Sequence, residues 1–293
     1  MSVHRAILRV VLAAVTGLQL LSVYAATEDR NANVTMPSSP QHLVAVTIAN
    51  ELKHDVAGVH LAYTASERDA NKSRTKRIVE TPNGDISLTI AEGGRPLSPE
   101  ELRGEKQHVL KLVDNPAAWT AHRKKQQRDD TEEQTLLRSI PNAFIFEYAG
   151  IRADGDGQIV TLHFSPDPNF HPPSRESQVF LGMRGVMEIS LPSARIVRIE
   201  GILFQPVNFG WGILGRLNSG GRFVIEQAAV GNGRWEVTHT VLHFTGKVLV
   251  VKELNIDEES RNTDFRAIPS LSLADAVDFA AQPQVIGQNN ARP

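Results

Sequence analysis

The sequence predicts an α+β fold built on an antiparallel β-sheet of six or more strands. Between residues 142 and 253, apolar side chains recur at every second position, as in Phe144-x-Phe146. A side-chain period of two places such residues on one face of a sheet. Turn residues separate these runs, for example at 154–157 and 231–233, where hairpins would reverse. A charged segment at 98–139 precedes the strands and supplies the helical part.

The first 25 residues have the pattern of a secretory signal peptide. Arg5 and Arg9 precede an apolar run at 10–21, and Val23 and Ala25 stand at positions −3 and −1 of a cleavage after Ala25. An uncleaved anchor is the alternative, but a membrane span needs about 20 apolar residues, and polar residues interrupt this run. We therefore expect export to the periplasm, a cleaved segment at 1–25 and no transmembrane span in the mature chain.

Composition restricts the classes of function. The 293 residues are 41% hydrophobic, and the formal net charge is −2, which gives no indication of nucleic-acid binding. The chain has no cysteine, so disulfides, thiolate metal sites, cysteine nucleophiles and lipid attachment to a cysteine are excluded. We expect no cofactor.

The N-terminal part is predicted to contain a leader, a helix and a small meander. Residues 26–40 are polar and read as a flexible leader, and Pro40 suits the first turn of a helix over 40–54. Alternating strands follow at 59–66, 75–80 and 86–91. Gly93-Gly94 and Pro96 are expected to end this sheet.

A charged helical insert is predicted over 98–139. Ser98-Pro99-Glu100-Glu101 combines an N-cap serine, a first-turn proline and a glutamate at the third position. Asn115-Pro116 should interrupt the helix. Charges of both signs at 123–130 favour a solvent-exposed helix laid across the sheet, and the alternative is a basic docking face for anionic lipid or a partner.

The second half should form the main sheet within one domain at 41–265. Two strands at 142–164 lead to a proline-rich connection at 165–173 and a short helix at 174–183. Further strands are expected at 185–191, 195–205, 222–230, 235–244 and 247–254, with a flexible, apolar, glycine-rich loop at 207–215. Residues 266–293 lose all pattern and are predicted to be a disordered tail.

No catalytic or metal signature lies on these strands. His239 and His243 are four apart on a strand, which spans about 13 Å and is too far for one ion. Glutamates are scattered singly along the strands, and two could meet across the sheet as a glycosidase-like pair, although solvent-facing positions are the simpler interpretation. The scattered glutamates are Glu147, Glu188, Glu200, Glu226 and Glu236.

Apolar surface is the more informative property. Several strands are apolar on both sides, which fits either a strand buried on both faces or a cavity for an acyl chain or lipidated peptide. Each buried methylene contributes about 0.8 kcal/mol, so such a site needs no charged motif. From strand alternation, the residues expected to line the cavity are Phe144, Phe146, Leu162, Phe164, Ile199 and Phe223.

Three phrases carry a family resemblance: 94–101 (GRPLSPEE), 172–185 (PPSR…VFLGMRG) and 206–210 (PVNFG). They resemble a group of exported bacterial proteins, of the acidobacterial type, described as outer-membrane lipoprotein-sorting-like. The layout is also similar to the LolA, LolB and RseB type of periplasmic carrier. This resemblance implies a curved, open half-barrel of antiparallel strands with helices on its concave side, and it brings no catalytic residues.

Together these observations lead to two expectations. The first is a periplasmic, non-enzymatic protein that binds a lipid or lipoprotein acyl chain in an apolar cavity. The second is an envelope interaction or sensor protein that docks a partner through the 98–139 insert or the 207–215 loop. A hydrolase would require two or more polar side chains converging in a cleft.

Overall fold

The computed structural model describes residues 38–53, 58–155, 157–209, 214–248 and 252–282. Within these ranges, 13 strands form one antiparallel sheet in the order β4-β3-β2-β1-β13-β12-β11-β8-β7-β6-β5, with β10 pairing β12 and β9. The sheet is open, so β4 and β5 are its edges. The strands are β1 His60–Asp69, β2 Ser73–Val79, β3 Ile86–Glu92, β4 Arg95–Pro96, β5 Phe144–Asp154, β6 Gly157–Pro166, β7 Met183–Ser190, β8 Arg195–Leu203, β9 Val207–Phe209, β10 Gly215–Leu217, β11 Arg222–Gly231, β12 Arg234–Val248 and β13 Lys252–Ile268.

Helices complete the α+β fold, which confirms the predicted fold class. They are α1 Pro40–Glu51, α2 Pro99–Val113, α3 Pro116–Ala143, α4 Leu273–Ala281 and a 3-10 helix at Glu176–Gly182. The predicted start signal at Ser98 is confirmed, because the Ser98 hydroxyl accepts from the Glu101 N–H and the Glu101 carboxylate accepts from the Ser98 N–H. At α3 the side-chain oxygen of Asn115 accepts a single capping hydrogen bond from the Ala118 N–H. No described helix is both long and apolar enough to span a membrane.

Two hydrophobic clusters hold the helices to the sheet. The larger one packs α1, the end of α3 and the 3-10 helix on strands β5 to β8 and β11 to β13. The smaller one packs α2, α4 and Trp119 on β1, β2 and β3. Strand register places the two clusters on opposite faces of the sheet. Ser66, on the same side of β1 as Ala62 of the smaller cluster, is level with Arg261 and His239. Phe223 and Leu242 of the larger cluster are level with each other and point the other way.

The predicted disordered tail is corrected by the structure for residues 266–282. Strand β13 continues to Ile268 along β1, and α4 follows with Ala276, Val277 and Ala280 fully buried. Arg77 of β2 donates to the carbonyl oxygens of Ala280 and Gln282 at the end of α4, where a cation is favoured. A nine-residue helix is too short for periodicity to identify.

Two smaller predictions are also corrected. Gly93 and Gly94 have φ of 62° and 78° and form a tight turn into β4, so the sheet does not end there. Val207 and Phe209 are buried in β9 and do not belong to a flexible loop. The predicted signal peptide, most of the leader, Trp211 and residues 283–293 lie outside the described residues.

Candidate binding site on the sheet

The six predicted cavity residues share one face of the sheet, as alternation required. The rings of Phe144, Phe146 and Phe164 are mutual neighbours, with centroids 4.9–6.4 Å apart. Leu162 is fully buried and Phe223 nearly so, while Ile199 is half-buried between Met187 and Ile225 of the adjacent strands. This face, which we call the covered face, carries α1 and the end of α3.

A cavity of about 580 Å³ lies on the opposite face of strands β5 to β8 and β11, and we call it the trough. Its floor contains four apolar side chains, all half-buried or exposed, and polar side chains stand among them. The apolar members are Ile145, Val186, Ile202 and Val224, and the polar members are Glu147, His163, Ser165, Arg184, Glu200 and Arg222.

Register explains how distant segments build the trough. Val186 is level with His163 on one side and Glu200 on the other, and Glu200 is level with Val224. Residues that face each other across antiparallel strands point to the same side. Four strands therefore contribute one continuous row.

Two glycines thin the sheet under the trough. Gly185 and Gly201 are level with each other, flanked by Phe164 and Phe223. A Cβ on Gly185 would lie 2.8 Å from the Phe164 ring and would overlap the carbonyl oxygen of Glu200, and a Cβ on Gly201 would lie 2.7 Å from the Phe223 ring. Both phenylalanines consequently border the trough from the covered face.

An ion-pair network bounds the trough along one side. Arg198 binds Glu200 at 2.7 Å and also Glu226. His239 places its two ring nitrogens 3.1 Å from Glu226 and 3.2 Å from Glu259. Hydrogen bonds from Arg261 and His239 lower the pKa of the Glu259 carboxyl.

His243, on the same strand, has a different partner and faces Asp257 at 3.5 Å. Among the described residues, no group of three or more histidine, aspartate or glutamate side chains could hold a metal ion. Of the scattered glutamates, Glu200 and Glu226 are brought together by Arg198, which binds both carboxylates.

Arg184 and Arg222 have a different environment on the same face. Each is level with Ile202, Arg184 from β7 and Arg222 from β11, and both are exposed. The Arg184 guanidinium lies over the Phe204 ring, 5.3 Å from its centroid. Within the described part of the chain, neither arginine is joined to a carboxylate by a salt bridge of 4.0 Å or less.

Of the six predicted cavity residues, Phe164 and Phe223 border the trough, and sequence reasoning missed the rest of its lining. Alternation separates two faces but does not say which one helices cover, and charged residues on strands were interpreted as solvent-facing. The signal that could have found the trough is the interruption of β7 and β8 by Gly185 and Gly201, since an interior strand glycine often marks a close approach.

No protein-family model matches this chain, and no curated protein matches it. Among solved structures, it is similar to an outer membrane lipoprotein-sorting protein domain from Vibrio parahaemolyticus, with TM-score 0.34, 10% identity and coverage of 82% of this chain and 97% of that one. A LolA superfamily protein from Nitrosomonas europaea is similar with TM-score 0.27 and 8% identity, over 80% of this chain and 96% of that one. A DUF1329 family protein from Desulfovibrio piger is similar with TM-score 0.29 and 11% identity, over 84% of this chain and 100% of that one.

Lipoprotein-sorting and LolA superfamily structures are thus among the proteins similar to this chain, as its sequence motifs predicted. With every TM-score below 0.5 and identities near 10%, no ligand or partner is transferred from them.

Proposed function

We propose that this protein is a non-enzymatic periplasmic carrier that binds the acyl chain of a lipid or lipoprotein in the trough. The observation that supports the proposal is the trough itself, whose volume of about 580 Å³ lies within the roughly 300–1,000 Å³ of small-ligand sites. Its lining combines the four apolar side chains with polar and charged ones. Such an arrangement suits a ligand with one apolar part and one polar end.

Solvent exposure of the floor gives a driving force for binding. Ile145 is 44% exposed and Ile202 is 43% exposed, although strand positions on this face could hold polar side chains at no cost. Both side chains belong to the lining of one concave site, and exposed apolar side chains in such a site are typical of ligand pockets. Covering it contributes about 25 cal/mol per Å² before the costs of association.

The periplasmic part of the proposal depends on the signal-peptide pattern at 1–25. One observation supports the non-enzymatic part: the Glu200 carboxylate in the trough is paired with Arg198. The proposal includes no chemical step.

Native mass spectrometry of the chain purified from the periplasm without detergent tests the proposal. We expect a stoichiometric lipid, or uptake of an added fatty acid, that Val186→Trp and Val224→Trp each reduce at least tenfold by filling the floor. Ile151→Trp is the matched control, because Ile151 is exposed on edge strand β5 at 46% and lies outside the trough lining. It should leave binding within twofold.

A further variant distinguishes the two faces of the sheet. Ile199 lies on the covered face, where the sequence predicted the cavity. If Ile199→Trp abolishes lipid uptake while Val186→Trp does not, the ligand enters between sheet and helices, and the trough is the wrong site. The expected result is the reverse.

A clean apo mass without uptake of any acyl ligand would contradict the carrier proposal and favour a docking protein. One observation supports that second candidate. Between Thr120 and Thr135 of α3, no side chain is buried, so more than four helical turns are accessible to a partner.

A further inference from the structure

We propose that the trough selects an amphiphile with an anionic headgroup, and that Arg184 and Arg222 hold this headgroup above Ile202. The inference deepens the proposed function and rests on it, since the acyl chain is taken to occupy the same trough. The ligand is a lipid with a phosphate or carboxylate head, and free phosphate is not the expected occupant.

Ile202 on β8 is level with Arg184 on β7 and with Arg222 on β11. Neighbouring strands are about 4.8 Å apart, so the two arginine Cα atoms flank Ile202 at a separation of roughly 10 Å. Both side chains are long enough to meet over Ile202, and both belong to the trough lining.

Arg184 and Arg222 differ in charge environment from two nearby arginines on the same face. Arg198 is paired with Glu200 and Glu226, and Arg261 is paired with Glu259 at 2.8 Å. Arg184 and Arg222 have no carboxylate partner of this kind within the described residues. Two cations beside an apolar floor repel each other, and an anion between them removes that repulsion.

Two carboxylates, Glu147 and Glu200, belong to the trough lining. Glu200 is already bound to Arg198. Glu147 stands on edge strand β5, and His163 of β6 separates it from Val186 of β7. The arginine side of the trough is therefore its positive side.

An arginine guanidinium presents a planar fork of N–H donors that matches the oxygens of a phosphate or carboxylate headgroup. Packing on the Phe204 ring positions the Arg184 fork, because a cation is attracted to an aromatic face. The headgroup would lie between the two forks, and the chain would continue over Val186 and Val224.

The test compares ligands with one chain length and different heads, each used below its micelle concentration. Dodecyl phosphate, dodecyl maltoside and dodecyltrimethylammonium are titrated against the full chain by calorimetry. We expect dodecyl phosphate to bind at least tenfold more tightly than the other two. Arg184→Gln combined with Arg222→Gln should weaken dodecyl phosphate by about tenfold to hundredfold and leave dodecyl maltoside within twofold.

Arg103→Gln is the matched control, because Arg103 is an exposed arginine on α2, which packs on the β3 side of the sheet. It should change neither affinity, and circular dichroism should show all variants folded. Inorganic phosphate alone should not displace dodecyl phosphate, and displacement would point to a free-phosphate site and overturn the lipid assignment.

Two other outcomes separate the inference from the proposed function. If all three amphiphiles bind with equal affinity and the double variant changes none of these affinities, the trough binds acyl chains without recognising the headgroup. Only this inference then fails. If none binds, the carrier proposal fails together with it.

Discussion

At the scale of single residues, the least expected group is Asp85, in the turn that joins β2 to β3. Burial raises the pKa of the Asp85 carboxyl to about 7, and repulsion by Glu80 and Asp130 adds to the rise. Glu80 is itself engaged, since it accepts from the Leu61 N–H and from Arg234. A protonated Asp85 therefore relieves repulsion in this cluster.

The pKa of Asp85 predicts the pH dependence of stability. An unfolded aspartate ionises near pH 4, so between about pH 4 and pH 7 the folded protein binds a proton that the unfolded chain has released. The contribution of Asp85 to the free energy of unfolding should fall as pH rises through this window. Asp85→Asn should remove that fall, so the variant should gain stability relative to the parent between about pH 5 and pH 8. Urea unfolding of the parent and the variant at pH 5 and pH 8 measures their free energies of unfolding. A difference between the two proteins that is the same at both pH values would contradict the prediction.

Gly185 provides a second residue-scale prediction. Any side chain there meets the backbone of Glu200 and the Phe164 ring, and neither can move without opening the core. Gly185→Ala should lower the free energy of unfolding by about 3 kcal/mol, at the upper end of overpacking costs. Gly150→Ala on edge strand β5 is the control, because no atom lies within 4 Å of its added Cβ. A loss from Gly185→Ala no larger than the loss from Gly150→Ala would show that close approach does not decide the effect, because the lower unfolded-chain entropy of alanine favours folding at both positions.

At the scale of elements, the decisive difference from the sequence is helix α4. It packs on β3, β2 and α2, and it completes the smaller hydrophobic cluster with Val277 fully buried. Without it, Ala62, Val79 and Leu88 of β1, β2 and β3 would lose part of their cover.

Helix α4 can be tested with two adjacent positions. Val277→Asp buries an unpaired charge and should destabilise the protein by about 3 kcal/mol or more. Asp278→Ala should cost less than about 1 kcal/mol, because its ion pair with Lys106 is exposed. Chemical denaturation measures both, and a neutral Val277→Asp would restore the interpretation of this segment as a tail.

At the scale of the whole molecule, the two halves of one sheet are covered from opposite sides. Helices α2 and α4 cover β1 to β3, while α1 and the end of α3 cover β5 to β8 and β11 on the other face. Helix α3 contributes to both clusters, with Trp119 in one and Leu136 in the other. This arrangement leaves the trough face of β5 to β8 accessible to a ligand.

The sequence by itself determined the elements and the side chains that share a face. Strand alternation grouped Phe144, Phe146, Leu162, Phe164, Ile199 and Phe223 correctly on one side. The serine at 98 located a helix start, and Asn115-Pro116 located the break before the next helix. These signals are local, since capping and side-chain periodicity depend on residues only a few positions apart.

Tertiary structure alone decided which face is covered, where α4 packs and which arginines have no ion-pair partner among the described residues. Arg184 and Arg222 are 38 positions apart in the chain and flank Ile202 only because β7, β8 and β11 are neighbours. Pairing between distant strands cannot be read from a local pattern, because a period of two is the same whether a face is buried by helices or open to solvent. The trough is a product of that long-range pairing.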